Sequence, residues 1–350
     1  MKTVLIIGGT GFLGSSLATY LSKKKLKIIC TTKSGKKIPG IKTIKFDFEK
    51  IADIKKISKI KFDFIVNCGG YIKHNNLSDG GYEVINQHLI GFINLLKFLN
   101  LKKIKHFIQI GTSDEYGNRK SPQKEDLKVD SFSTYSFSKI AATELAMTLY
   151  KTENIPFTVL RPFLIYGNNQ DKGRFLPQII DKCLKDQKFP TAKGEQVRDF
   201  CHVDDFCNLV FKTLGSKKTF GEIINVGSGK PIKIINVIKK IQKIIGKGKP
   251  EFGKYPYRKM ENMSLYADIN KAKKVLRKKR NELLKLMDEA YLENMNNPTA
   301  SELVSNLKID MQKLRDIPQT TKFNMATDIQ DLKDIHKDIK VLVKRYRDIV

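Results

Sequence analysis

The amino-acid sequence predicts an α/β protein built on a doubly wound parallel sheet, and three observations point that way. Short β-branched runs alternate with helix-like stretches up to about residue 160, as parallel strands joined by crossover helices require. The first strand runs directly into the glycine-rich turn Gly8-Gly9-Thr10-Gly11-Phe12-Leu13-Gly14, which opens a helical pattern. Apolar residues make up 41% of the 350, enough for a substantial core.

In chain order, Val4–Ile7, Lys27–Thr31, Thr43–Phe46, Phe64–Asn67, His106–Ile110 and Phe157–Leu160 read as strands. Helices are expected around Ser15–Lys23, Tyr82–Leu99 and Tyr135–Thr152. From Arg161 to about Leu276, Pro and Gly break the pattern, as in a smaller lobe folded against the carboxyl ends of the strands, where ligands of such sheets bind. Residues 1–160 are therefore read as a dinucleotide-binding domain, 161–276 as a substrate lobe and 277–350 as a helical extension. In the extension, Thr299 with Glu302 and Thr327 with Gln330 have capping-box spacing. Leu332, Ile335, Ile339, Leu342, Tyr346 and Ile349 form an a/d seam, which either packs on its own chain or pairs with a second one. A homo-oligomer is expected.

The formal charge of +29 raises the question of nucleic acid. Only 10 of the 65 basic residues are Arg, and Lys is spread over nearly every segment with few interleaved aromatics, so the surplus reads as solvated surface and no specific nucleic-acid partner is expected. Where Lys is the default cation, an Arg marks a place that needs a planar fork. The five cysteines follow no CxxC spacing and read as reduced thiols; no metal site is expected. No apolar run approaches the roughly 18 residues of a membrane span, and no signal peptide is recognised, which together predict a cytoplasmic protein without membrane contact.

The glycine turn lets the backbone approach a pyrophosphate, whose charge then rests on the amides of the helix N-terminus. Gly8, Thr10, Gly11, Phe12, Leu13 and Gly14 are thus candidate cofactor residues. At the end of the second strand an NAD site usually presents a carboxylate to the ribose 2′-hydroxyl; here Thr32 and Lys33 stand in its place, which favours NADP over NAD.

Tyr135 and Lys139 lie one helical turn apart in Tyr135-Ser136-Phe137-Ser138-Lys139. A tyrosine of ordinary pKa, about 10, is a poor acid–base group at neutral pH, but a neighbouring ammonium and an oxidised nicotinamide favour its phenolate. Upstream, Thr112, Ser113 and Asp114 follow a strand and can hold a substrate oxygen.

With these motifs the chain resembles the extended short-chain dehydrogenases/reductases that act on nucleotide sugars, over roughly residues 1–276. Its GGTGFLG turn, Asp47, Asn67-Cys68-Gly69-Gly70, Asn86, TSDEYG, YSFSK, LRPFLIYG (Leu160–Gly167), VRDFCHVDD (Val197–Asp205) and INVGSG (Ile224–Gly229) come in the family's order. The resemblance implies a Rossmann domain, with Asp47 and Phe48 beside the adenine, Cys68, Gly69 and Gly70 beside the pyrophosphate or ribose, and Asn86 and Pro162 also at the cofactor. It implies a catalytic Thr112, Tyr135 and Lys139, with Ser113 and Asp114 at the substrate and Arg198 and Arg258 gripping its diphosphate. Arg161 is read as structural.

Three departures bear on the reaction. The family's dehydratases carry Asp-Glu directly after the catalytic Thr, where this chain has Ser113-Asp114; many 4-epimerases carry Asn where Leu164 stands; and Thr32 replaces the acid. Together they tilt the expectation toward an NADPH-dependent reductase of a 4-keto-6-deoxy nucleotide sugar, with 4-epimerase and 4,6-dehydratase as alternatives. A non-catalytic scaffold binding RNA or protein is the rival from another class. The family's usual Trp-Pro after the segment Ala267-Asp268 to Lys271-Ala272 is missing.

Overall fold

The computed structural model describes residues 1–70, 76–257 and 261–275. The extension with its capping boxes and seam, and Arg258, lie outside the described residues.

The main sheet has seven strands, all paired in parallel: β1 (Lys2–Ile7), β2 (Leu26–Thr32), β3 (Lys42–Lys45), β4 (Phe64–Asn67), β5 (His106–Ile110), β6 (Phe157–Pro162) and β10 (Glu222–Val226). Their order is β10-β6-β5-β4-β1-β2-β3. From β1 the chain winds outward through β2 and β3, then restarts at β4 on the other side of β1. The winding therefore reverses between β1 and β4, and the crevice at such a reversal is where this architecture binds ligands.

The alternation along β1 shows why the sheet is covered on both faces. Val4 and Ile6 enter one core with Leu17, Val66 and Ile108, beneath α1 (Phe12–Ser22) and α7 (Val203–Thr213). Leu5 and Ile7 enter the other with Ile65, Phe92, Phe107 and Phe157, beneath α2 (Ile51–Ser58), α4 (Gly91–Phe98) and α5 (Thr134–Glu153). A third core, around Tyr166, Ile180, Phe189, Ile238 and Ile241, holds the smaller lobe, which includes α6 (Phe175–Leu184), β9 (Val197–His202) and α8 (Ile234–Ile245).

The six predicted strands and three predicted helices of the first domain are present, each within a residue or two of its expected ends, except that the first predicted helix starts three residues earlier. What periodicity did not show is that the chain returns to this sheet after leaving it. β10 pairs with β6, and α7 packs against the same core as α1, so the division placed at residue 160 is crossed again by the chain. Among the described residues no helix is long and apolar enough to cross a membrane. All five cysteines are free thiols.

Candidate active site

The turn after β1 is tight because its glycines are packed against each other. A Cβ on Gly14 would strike the Gly8 carbonyl oxygen and stand 2.8 Å from the Gly9 Cα, so α1 begins directly under the turn. Gly11, the residue that starts this helix, offers no capping side chain, and an added Cβ there would meet nothing closer than 3.4 Å. Uncapped amides beside open space fit a pyrophosphate.

From that turn a cavity of about 1150 Å³ runs along the carboxyl ends of the strands to the smaller lobe, at the upper end of the size range of ligand pockets. It brings together most of the predicted site: Gly11, Phe12, Leu13, Gly14, Cys68, Gly69, Gly70, Thr112, Ser113, Asp114, Tyr135, Lys139, Pro162 and Arg198. Gly8 and Thr10 hold the turn from behind, the Gly8 N–H donating to Thr31 Oγ1 at 3.0 Å and Thr10 Oγ1 to Thr32 Oγ1 at 2.9 Å. Thr32 is thereby buried, 3% exposed. The ammonium of Lys33 lies 3.2 Å from Asp47 and 4.0 Å from Glu49, on the exposed rim beside the end of β2. Burial acts to raise the Asp47 carboxyl, but the Glu49 backbone N–H and Lys33 outweigh it, so the group sits below its ordinary value.

Two predicted residues are placed differently. Phe48 is 5% exposed, and its ring packs behind Gly69 and Gly91 in the second core and does not line the cavity. Asn86 is exposed on the outer side of its helix and does not line the cavity. His88, two residues on, does. The stripe explains both: His88 follows buried Val84 by four residues and precedes buried Phe92 by four, whereas Asn86 stands off that stripe. A histidine on an apolar stripe was the available signal. Arg174, at the start of α6, is a second cavity residue that motif reasoning missed.

At the centre, Tyr135 and Lys139 are buried on the first turns of α5, which Ser133 and Ser136 cap reciprocally. Burial, then the Asp114 carboxylate, push the Tyr135 phenol well above its ordinary range; a hydrogen bond with Thr112 and the charge of Arg174 pull the other way without prevailing. Lys139 Nζ donates to the Ile110 carbonyl oxygen at 2.9 Å and lies 5.9 Å from the centre of the Tyr135 ring. Burial brings this lysine down to about 8, against the opposing pull of Glu115 and Cys68. The sequence reading ties the phenolate to the Lys139 ammonium together with an oxidised nicotinamide; in the protein alone, desolvation by burial dominates.

Thr112 is fixed by its neighbours: its backbone N–H donates to Glu115 Oε1 at 2.9 Å, and its hydroxyl accepts from the Asp114 N–H at 3.2 Å. Glu115 in turn accepts from Arg161 Nε at 2.9 Å, both side chains being fully buried. Arg161 therefore ties β6 to the loop after β5, the structural role read from the sequence. Arg198 reaches the cavity from β9 while donating to the Val197 carbonyl oxygen and pairing with Glu261.

Residues 4–227 match the family described as the NAD dependent epimerase/dehydratase family. The chain belongs to that family. This enzyme is similar, at 29% identity over 270 residues, to dTDP-D-glucose 4,6-dehydratase of Dictyostelium discoideum; the match covers 69% of this chain and 62% of that protein's length. It is 27% identical over 298 residues to UDP-glucuronate 4-epimerase of Thermodesulfobacterium geofontis, covering 79% and 90% of the two chains. Among solved structures, UDP-glucuronic acid 4-epimerase from Bacillus cereus, in complex with UDP-glucuronic acid and NAD, superposes with a TM-score of 0.71 at 25% identity, over 79% of this chain and 93% of that one. With family membership shown and both Tyr135 and Lys139 in the cavity wall, the scaffold alternative falls.

Proposed function

We propose that the enzyme transfers a hydride between a nicotinamide cofactor and C4 of the sugar of a nucleotide sugar, with reduction of a 4-keto-6-deoxy nucleotide sugar as the net reaction. The observation that carries the proposal is that Thr112, Tyr135 and Lys139 line one cavity together with the glycine turn and Arg198. The cofactor, when bound, supplies the hydride. Thr112 and Tyr135 hold the C4 oxygen; the neutral phenol donates its proton as the carbonyl carbon gains the hydride, and the resulting phenolate is reprotonated from solvent. Arg198 offers a planar fork to the diphosphate.

Reduction is favoured over dehydration by Ser113, a buried hydroxyl where the family's dehydratases carry the acid directly after the threonine; Asp114, in the same cavity, keeps elimination as the alternative. A 4-epimerase is the second reading, supported by the relatives of that name. Incubation with NADPH and dTDP-4-keto-6-deoxyglucose, and separately with UDP-glucuronate, separates the two. Loss of nicotinamide absorbance with a product two mass units heavier supports reduction; an isomer of unchanged mass from UDP-glucuronate, without net loss of absorbance, overturns it in favour of epimerisation.

For the cofactor, the proposal is NADP. The exposed Lys33–Asp47 pair is worth no more than about 1 kcal/mol, so a 2′-phosphate can redirect the ammonium at small cost. Lys33→Ala should weaken NADPH by roughly tenfold and leave NADH nearly unchanged, because it removes the cation that would pair with the 2′-phosphate. Titration of both cofactors checks this; an unaltered enzyme that already prefers NADH removes the proposal.

Lys139 gives a pH dependence. Its lowered value means that the ammonium able to donate to ribose hydroxyls is present below about 8 and lost above it. Cofactor affinity of the free enzyme should therefore fall as pH rises through about 8, and Lys139→Met should bind weakly with a flat profile.

The homo-oligomer expected from the sequence finds support in Ile90, Ile93 and Phe137, exposed apolar residues on neighbouring helical segments.

A further inference from the structure

His88 belongs to none of the motifs above, yet the structure makes room for it. It is 5% exposed, on a π-type turn (Asn86–Ile90) between the helical segments Tyr82–Ile85 and Gly91–Phe98, and it lines the cavity at the catalytic wall. Its imidazole stands nearly perpendicular to the ring of Tyr135, at 78°, with centroids 5.2 Å apart, an edge-to-face contact. The space its ring fills is kept open by Gly70, where any Cβ would overlap the imidazole, and Gly70 itself takes a φ of +104° that other residues rarely adopt. One ring thus contacts both the loop after β4, at the crevice, and the tyrosine that faces the reacting carbon.

We infer that His88 is a positioning residue for Tyr135. Tyrosine has two free side-chain torsions, and proton transfer demands that its oxygen stay within hydrogen-bond reach of the substrate oxygen. Thr112 restrains the oxygen end of the side chain; His88 restrains the ring from the side of the cofactor loop and excludes water from that face. The restraint comes from the aromatic body, so it should survive replacement by a ring that cannot exchange protons. The inference rests on the proton-transfer role proposed for Tyr135.

The test uses the full chain with NADPH and dTDP-4-keto-6-deoxyglucose, and UDP-glucuronate in parallel. His88→Ala should lower kcat by about 10- to 100-fold, the order expected when a reacting group is misplaced by an ångström, with KM for the sugar changed less than about threefold. His88→Phe should recover about tenfold or more of the alanine variant's loss, whereas His88→Asn, which keeps a hydrogen-bonding group without the ring, should not. In a His88→Ala/Tyr135→Phe double variant the two losses should fail to multiply, since one acts through the other. Recovery by Asn and not by Phe, an unchanged kcat in His88→Ala, or additive losses would each overturn the positioning role. If Tyr135→Phe alone keeps its turnover, the reading of the site itself fails, which is a different outcome from an inert His88. Circular dichroism and urea midpoints of the variants separate a folding defect from either, and His88→Phe, which fills the same space, keeps the test open should His88→Ala unfold.

Discussion

Tyr135→Phe should lower kcat by about 10² to 10⁴-fold while cofactor affinity stays within about twofold, the range expected for loss of a positioned general acid. The substitution deletes one hydroxyl from a ring that is 3% exposed and leaves the packing against His88, the capping of α5 and the position of Lys139 as they are. Turnover with the sugars above, set beside fluorescence titration of NADPH, measures the two quantities separately. A variant that keeps most of its kcat would remove Tyr135 from the chemistry, and one that also loses the cofactor would place its hydroxyl at the ribose instead of the substrate.

Glu115→Ala should destabilise the fold by about 3 to 5 kcal/mol, because it leaves the Arg161 guanidinium charged inside the protein without its counterion. Burial pushes the Glu115 carboxyl upward and Arg161 pulls it back, the relation of two groups that tolerate burial only together. The same carboxylate accepts the Thr112 N–H, so Thr112 also loses an anchor. Urea denaturation should show the midpoint shift. The paired change Glu115→Leu with Arg161→Met should restore much of the stability, since neither charge remains buried, but not the turnover, since nothing then holds the Thr112 amide. If single and paired variants are equally stable, the ion pair carries no weight in the fold.

Much of this protein was legible from its residues in order. Strand and helix periods identified the parallel sheet, and the glycine turn identified its nucleotide end, because both signals depend on neighbours within a few positions of each other. That Tyr135 and Lys139 share one helix face was legible for the same reason: one turn of helix separates them, and both line the cavity. The tertiary structure decided what depends on partners distant in the chain. Asn86 and His88 are nearly adjacent in sequence, and only the packing of their helix against the cofactor loop and α5 shows which enters the cavity. Phe48 carries a family position, yet its ring lies beneath Gly69 because the apolar contact there is available and water is not. The environment of Tyr135 is set by the tertiary structure, since a neighbouring lysine can be counted along a helix whereas desolvation is a property of everything around the ring. The partner of Arg161 is 46 residues away, and the seventh strand of the sheet comes from beyond residue 220, pairings that no local pattern encodes because they form only when the chain has closed on itself.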